Sequence, residues 1–86
     1  MRLASALDLG SYVRDRRRAA GITQQQLSDA AGVSRRWLSD LETGKARAEI
    51  GLVFQVLHTL GLVVEVTPSE ANLSLDEVLE RLHGRG

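Results

Sequence analysis

The chain has 86 residues, eleven basic and eleven acidic side chains, and no cysteine. That length allows one small domain with a marginal core, and a second subunit would help by burying more apolar surface. The absence of cysteine excludes disulfides and a cysteine-based metal site, and three aromatics, Tyr12, Trp37 and Phe54, are too few for the stacking platforms of single-strand nucleic-acid readers.

No apolar run is long enough for a signal peptide or a membrane span, so a cytoplasmic protein without a membrane partner is expected. The zero net charge hides an asymmetry. Residues 1–50 carry nine Lys/Arg against six acids, and residues 51–86 carry two against five. A basic front and an acidic rear suit a protein with one face on nucleic acid and another elsewhere, although an ordinary solvated surface has the same composition.

In chain order, Leu9, Val13 and Ala20 recur at helical spacing and predict a first helix over 8–20, capped by Asp8 and stopped by Gly21. Arg17 falls on its inward stripe and therefore requires a carboxylate partner. Thr23-x-x-Gln26 fits a capping box, with Ile22 and Leu27 as the hydrophobic staple, for a second helix from Gln24 to Ala31. Leu27, Ala30 and Ala31 are its expected core contacts. Gly32-Val33-Ser34 forms the turn, and Ser34 caps a third helix from Arg35 to Thr43 with Leu38 and Leu41 inward. Gly44 stops it. After the basic loop 45–48, Ile50, Val53, Phe54, Leu57 and Leu60 line a fourth helix, roughly Glu49 to Leu60. His58 in that helix reads as a surface residue.

Leu62 to Thr67 (LVVEVT) predicts a strand, β-branched and stopped by Pro68. A single strand cannot satisfy its own backbone groups, so Leu62, Val63, Val64, Glu65 and Val66 are expected to pair across a homodimer. The alternative is an arm packed on its own domain. After a turn or linker over 68–72, Ser74-x-x-Glu77 with Leu73 and Val78 marks a short amphipathic helix to His83. It is too short to stand alone, so it must dock on its own dimer or on another protein. The expected divisions are 1–61 for the DNA-binding unit, 62–67 for the dimerising strand and 68–86 for the tail, whose last residues fray.

No glycine-rich phosphate loop, metal-ligand cluster or paired histidine and carboxylate is present in the sequence, so neither catalysis nor a cofactor is expected. Two helices joined by a sharp turn instead form a helix-turn-helix, whose second helix presents its N-terminal part to the major groove. That places Arg35, Arg36, Ser39 and Asp40 at base edges. Arginine pairs bidentately with guanine, so a G-containing half-site is expected. Gln24, Ser34, Lys45 and Arg47 are the candidate phosphate contacts. The blander alternative makes Arg35 and Arg36 simple solubilising charges.

On Arg17, Gly21, Thr23-Gln24, Leu27, Ala31-Gly32-Val33-Ser34, Leu38, Leu41-Glu42 and Gly44-Lys45, residues 8–61 resemble the Xre family of helix-turn-helix domains, which includes the lambda and 434 repressors and Cro. The resemblance implies a four-helix lambda-repressor-like bundle and an Arg17–Glu42 pair bracing the first helix against the third. It also implies that Gln24, Ser34, Arg35, Arg36 and Ser39 lie at the DNA surface. The Arg35-Arg36 pair departs from the glutamines common in the phage proteins, so their operators do not carry over. LHTLGLVVEV after the bundle is similar to HipB-like antitoxins. That similarity implies an intersubunit sheet, autorepression and a HipA-like kinase toxin as partner. The combined expectation is a mainly α fold plus one pairing strand and a short C-terminal helix. The expected molecule is a homodimeric repressor whose two recognition helices lie about one DNA turn (~34–36 Å), or a multiple of it, apart on a palindrome of double-stranded DNA. The alternative is a protein-binding adaptor on the same scaffold that does not bind DNA.

Overall fold

The computed structural model describes residues 2–45, 47–68 and 73–84. Five helices follow one another: α1 (Ala6–Ala19), α2 (Gln24–Ala31), α3 (Arg35–Glu42), α4 (Ile50–Thr59) and α5 (Leu73–His83). Helix α1 packs on α3, and α2 packs on both α3 and α4.

Helix α1 begins two residues before the sequence predicts. Its cap is Ser5, whose Oγ accepts from the Asp8 N–H at 3.1 Å. Asp8 lies inside the first turn and accepts from the Ala4 N–H at 3.0 Å. The aspartate thus belongs to the cap but is not the cap residue, and its charge faces the positive end of the helix.

The core is Val13, Leu27, Ala31, Leu38, Leu41, Val56 and Leu57, flanked by Leu9, Ile22, Val33, Trp37, Val53, Leu60 and Leu62. Ala30 is exposed, and the inward place beside Leu27 belongs to Ser28, whose hydroxyl donates to the Gln25 carbonyl at 2.9 Å. In α4 the buried pair is Val56 and Leu57, whereas Ile50 and Phe54 face out. The apolar face of α4 is therefore wider than the stripe that packs on α2.

One close approach sets the angle between α1 and α3. A Cβ added at Gly10 would lie 2.1 Å from the Leu41 carbonyl oxygen and 3.0 Å from that of Glu42. The two backbones touch there, and only glycine leaves them room.

The expected strand is not formed: among the described residues there is no strand, and 62–68 carry no regular secondary structure. The Leu62 N–H is already used, donating to the Leu57 carbonyl at 2.9 Å in the closure of α4. Beyond it Val63, Val64 and Val66 are 85%, 47% and 92% exposed. The β-branched run disfavours helix, but a strand exists only through a neighbouring ladder, and the described residues supply no second strand to pair with it. The capping box at Ser74 and the linker over 69–72 lie outside the described residues, as do residues 85–86. Helix α5 exposes Leu75, Val78, Leu79 and Leu82.

Candidate nucleic-acid interface

Helices α2 and α3 are each started by a side chain and separated by a turn. Thr23 Oγ1 accepts from the Gln26 N–H at 3.0 Å, and Gln26 Oε1 accepts in return from the Thr23 N–H at 2.8 Å. At Gly32 the backbone turns left-handed, φ 73°, which a residue with a Cβ resists. The Val33 N–H then reaches back to the Ser28 carbonyl at 3.0 Å, closing α2. Two residues after the glycine, Ser34 Oγ accepts from the Trp37 N–H at 3.0 Å and starts α3. Neither α2 nor α3 has an acid in its first turn. The partial positive charge at both N-termini is left open to an anion.

Ser34, Arg35 and Arg36 are exposed at the start of α3, while Leu38 and Leu41 on its other face are buried. Ser39 and Asp40, one turn on, are half-buried. Asp40 is engaged with Lys45, Oδ1 to Nζ 3.4 Å, so a proposed base contact and a proposed phosphate contact face each other in the free protein. Arg47 is exposed.

Arg17, Arg18, Gln24, Gln25 and Arg35 line one open cleft between the α1–α2 turn and the start of α3, and no carboxylate residue lines it. Spacing in the sequence singles out Gln24 and Arg35 but passes over Arg18 and Gln25. A signal for both is present there: Arg18 sits in the last turn of α1, and Gln25 follows Gln24 in the first turn of α2.

Behind the cleft Arg17 and Glu42 form a buried bidentate ion pair. Arg17 Nε donates to Glu42 Oε2 at 2.7 Å, and an Nη donates to Oε1 at 3.0 Å. The remaining Nη donates to the Ile22 carbonyl at 2.9 Å. One guanidinium therefore ties α1, the α1–α2 turn and the end of α3. The hydrogen bond to Glu42 raises the Arg17 pKa above its ordinary value against the opposing effect of burial, with the carboxylate charge adding to the rise. Glu42 Oε1 has a second donor: Gln24 Nε2, at 3.0 Å. Gln24 is thus fastened at its inner end, a contact that spacing alone does not reveal.

This arrangement, two capped helices across a glycine turn with basic side chains at the exposed start of the second, defines a helix-turn-helix. A family model for the helix-turn-helix domain matches residues 8–69, and the chain belongs to that family. It is 42% identical over 65 residues to an uncharacterized HTH-type transcriptional regulator, y4mF, of Sinorhizobium fredii, covering 76% of this chain and 86% of the relative. An uncharacterized HTH-type transcriptional regulator of Mycobacterium tuberculosis, Rv0474, is 29% identical over 78 residues, covering 81% of this chain and 56% of the relative. Among solved structures, a chain of a HipB-O4 20mer complex superposes with a TM-score of 0.76 at 20% identity, covering 81% of this chain and 99% of that one. A chain of a HipA-HipB-O2-O3 complex gives the same values. At that identity the likeness is one of fold. No helix among the described residues is long and apolar enough to cross a membrane.

Proposed function

We propose that this chain is a sequence-specific DNA-binding repressor, acting as a homodimer on a palindromic site near its own gene, and that it serves as the antitoxin of a HipBA-like module. The observation that carries the DNA reading is the exposed Ser34-Arg35-Arg36 start of α3, on a helix whose opposite face is buried in the core. Arg35 and Arg36 read guanine edges, and Ser39 and Asp40 contact bases one turn on. Gln24, Ser34, Lys45 and Arg47 hold phosphates, with Arg18 and Gln25 at the rim of the same cleft. For Asp40 and Lys45 to reach DNA their mutual ion pair must open, a small cost for a pair that water reaches on both sides. No role in catalysis is assigned.

The antitoxin role rests on the fold shared with the HipB chains and on the resemblance of 57–66 to that group; a HipA-like kinase is the proposed partner. Exposed Ile50, Phe54 and Val63 are apolar surface of the kind a second subunit covers.

Arg35→Ala with Arg36→Ala tests the reading. Binding to a duplex from upstream of the gene, followed by fluorescence anisotropy at fixed salt, should weaken by roughly 1–3 kcal/mol for each arginine–guanine pair removed. Unchanged affinity would remove Arg35 and Arg36 from the recognition surface. A scaffold used only as a protein adaptor predicts no sequence-specific shift even for the wild type.

A further inference from the structure

The Arg17–Glu42 pair does more than brace two helices. We infer that it is a positioning device that fixes the Gln24 side chain, in rotamer and in amide orientation, for a phosphate at the start of α2; this rests on the DNA reading above.

Glutamine has three side-chain torsions and loses much of its freedom when held. Gln24 is already held in the free protein: its Nε2 donates to Glu42 Oε1 at 3.0 Å, and the residue is half-buried. The carboxylate that holds it is itself fixed, since Arg17 grips both oxygens, at 2.7 and 3.0 Å. An ionised carboxylate only accepts hydrogen bonds, so it selects the nitrogen end of the Gln24 amide to face inward. That nitrogen carries two hydrogens. One is used on Glu42, and the other has no partner among the described residues. It is available to an anion in the cleft that Gln24 shares with Arg18 and Arg35.

Charge balance supports the same arrangement. A bare carboxylate behind Gln24 would repel a phosphate. Arg17, donating to both carboxylate oxygens, compensates that charge, so the cleft presents a neutral donor with basic side chains around it. Arg17 and Glu42 are positioning residues here; Gln24 makes the contact.

The test is a mutant cycle. Arg17→Met with Glu42→Leu replaces the ion pair by apolar side chains of similar size, a change that buried pairs often tolerate. In otherwise wild-type protein, Gln24→Ala should weaken binding to the upstream duplex by about tenfold, the cost of a hydrogen bond to a charged group. In the Arg17→Met/Glu42→Leu background the same change should cost less than about twofold. An equal cost in both backgrounds overturns the positioning role, because a purely structural pair would leave the Gln24 contact intact. A second measurement needs neither DNA nor a variant: 15N relaxation of the Gln24 side-chain amide in the free full-length protein. Order approaching that of rigid backbone, about 0.85, is expected, and a value under about 0.6 overturns the proposal even if the apolar variant fails to fold. Wild type that binds no duplex while Gln24 stays ordered would overturn the phosphate contact and the DNA reading together, leaving only the fastening of the side chain.

Discussion

Gly10 and Gly51 are both helical glycines, yet their surroundings assign them opposite effects. At Gly10 a methyl group would meet backbone, the Leu41 carbonyl at 2.1 Å, and backbone cannot swing aside as a long side chain can. Gly10→Ala must push α1 off α3. The gain in helix propensity, about 1 kcal/mol, is outweighed by overpacking of up to about 3 kcal/mol and by looser packing between the separated helices. A net loss of about 2 kcal/mol should lower the melting temperature by roughly 8–16 °C in a domain of this size. Gly51 has open space around its missing Cβ. Gly51→Ala should therefore raise the melting temperature, by at most about 1 kcal/mol in stability. Calorimetry on the two variants settles the contrast; a stabilised Gly10→Ala would show that α1 and α3 separate at little cost. The sequence does not announce Gly10, because its reason is a carbonyl on another helix. Thr23, Gly32 and Ser34 are legible because each acts on a backbone group within a few residues of itself.

Among the elements, α1 and α3 are joined by an ion pair that spacing foretells only in half. That Arg17 needs an acid follows from its inward position; that the acid is Glu42 follows from the family pattern, since several other acids in the chain satisfy the same need. Glu42→Ala leaves the Arg17 guanidinium buried with the Ile22 carbonyl as its remaining partner and removes the acceptor of Gln24. The destabilisation should be about 3–5 kcal/mol in denaturant unfolding. Arg17→Met/Glu42→Leu, which leaves no charge behind, should lie much closer to wild type. Equal destabilisation from the two would mean that the pair contributes favourable energy beyond the cost of breaking it. The Arg17 pKa is raised, so its share of stability is present throughout the neutral range and disappears only as alkaline pH passes that raised value. No change of stability near neutrality should trace to it. Helix α4 and the run after it mark where pattern reading fails. Periodicity places an apolar stripe on α4 but does not say which part of the stripe faces α2. β-branching at 63, 64 and 66 describes a strand's side chains, whereas a strand's existence depends on a neighbour that is not found among the described residues.

For the whole molecule, the four helices of the bundle share one construction. Helices α1, α3 and α4 each end on a pair of backward bonds donated by the N–H groups of a left-handed glycine and the residue after it: Gly21 and Ile22, Gly44 and Lys45, Gly61 and Leu62. Helix α2 closes in the same way through Gly32 and Val33. Three of these four helices also begin on a hydroxyl cap, at Ser5, Thr23 and Ser34. Starts and stops are thus written locally, and the longer-range packing joins consecutive or nearly consecutive helices. The consequence is one of time. A chain whose native neighbours are mostly near in sequence has little loop entropy to overcome before its nucleus forms, and helical bundles of this kind fold in microseconds to milliseconds. A temperature jump on dilute protein, followed by Trp37 fluorescence, should show one relaxation in that range, unaffected by dilution. A slow, concentration-dependent phase would mean that folding of the bundle is coupled to association. If the rate is as expected, a newly made chain has α2 and α3 in place before it meets another molecule, and the supply of folded regulator is limited by synthesis and not by folding.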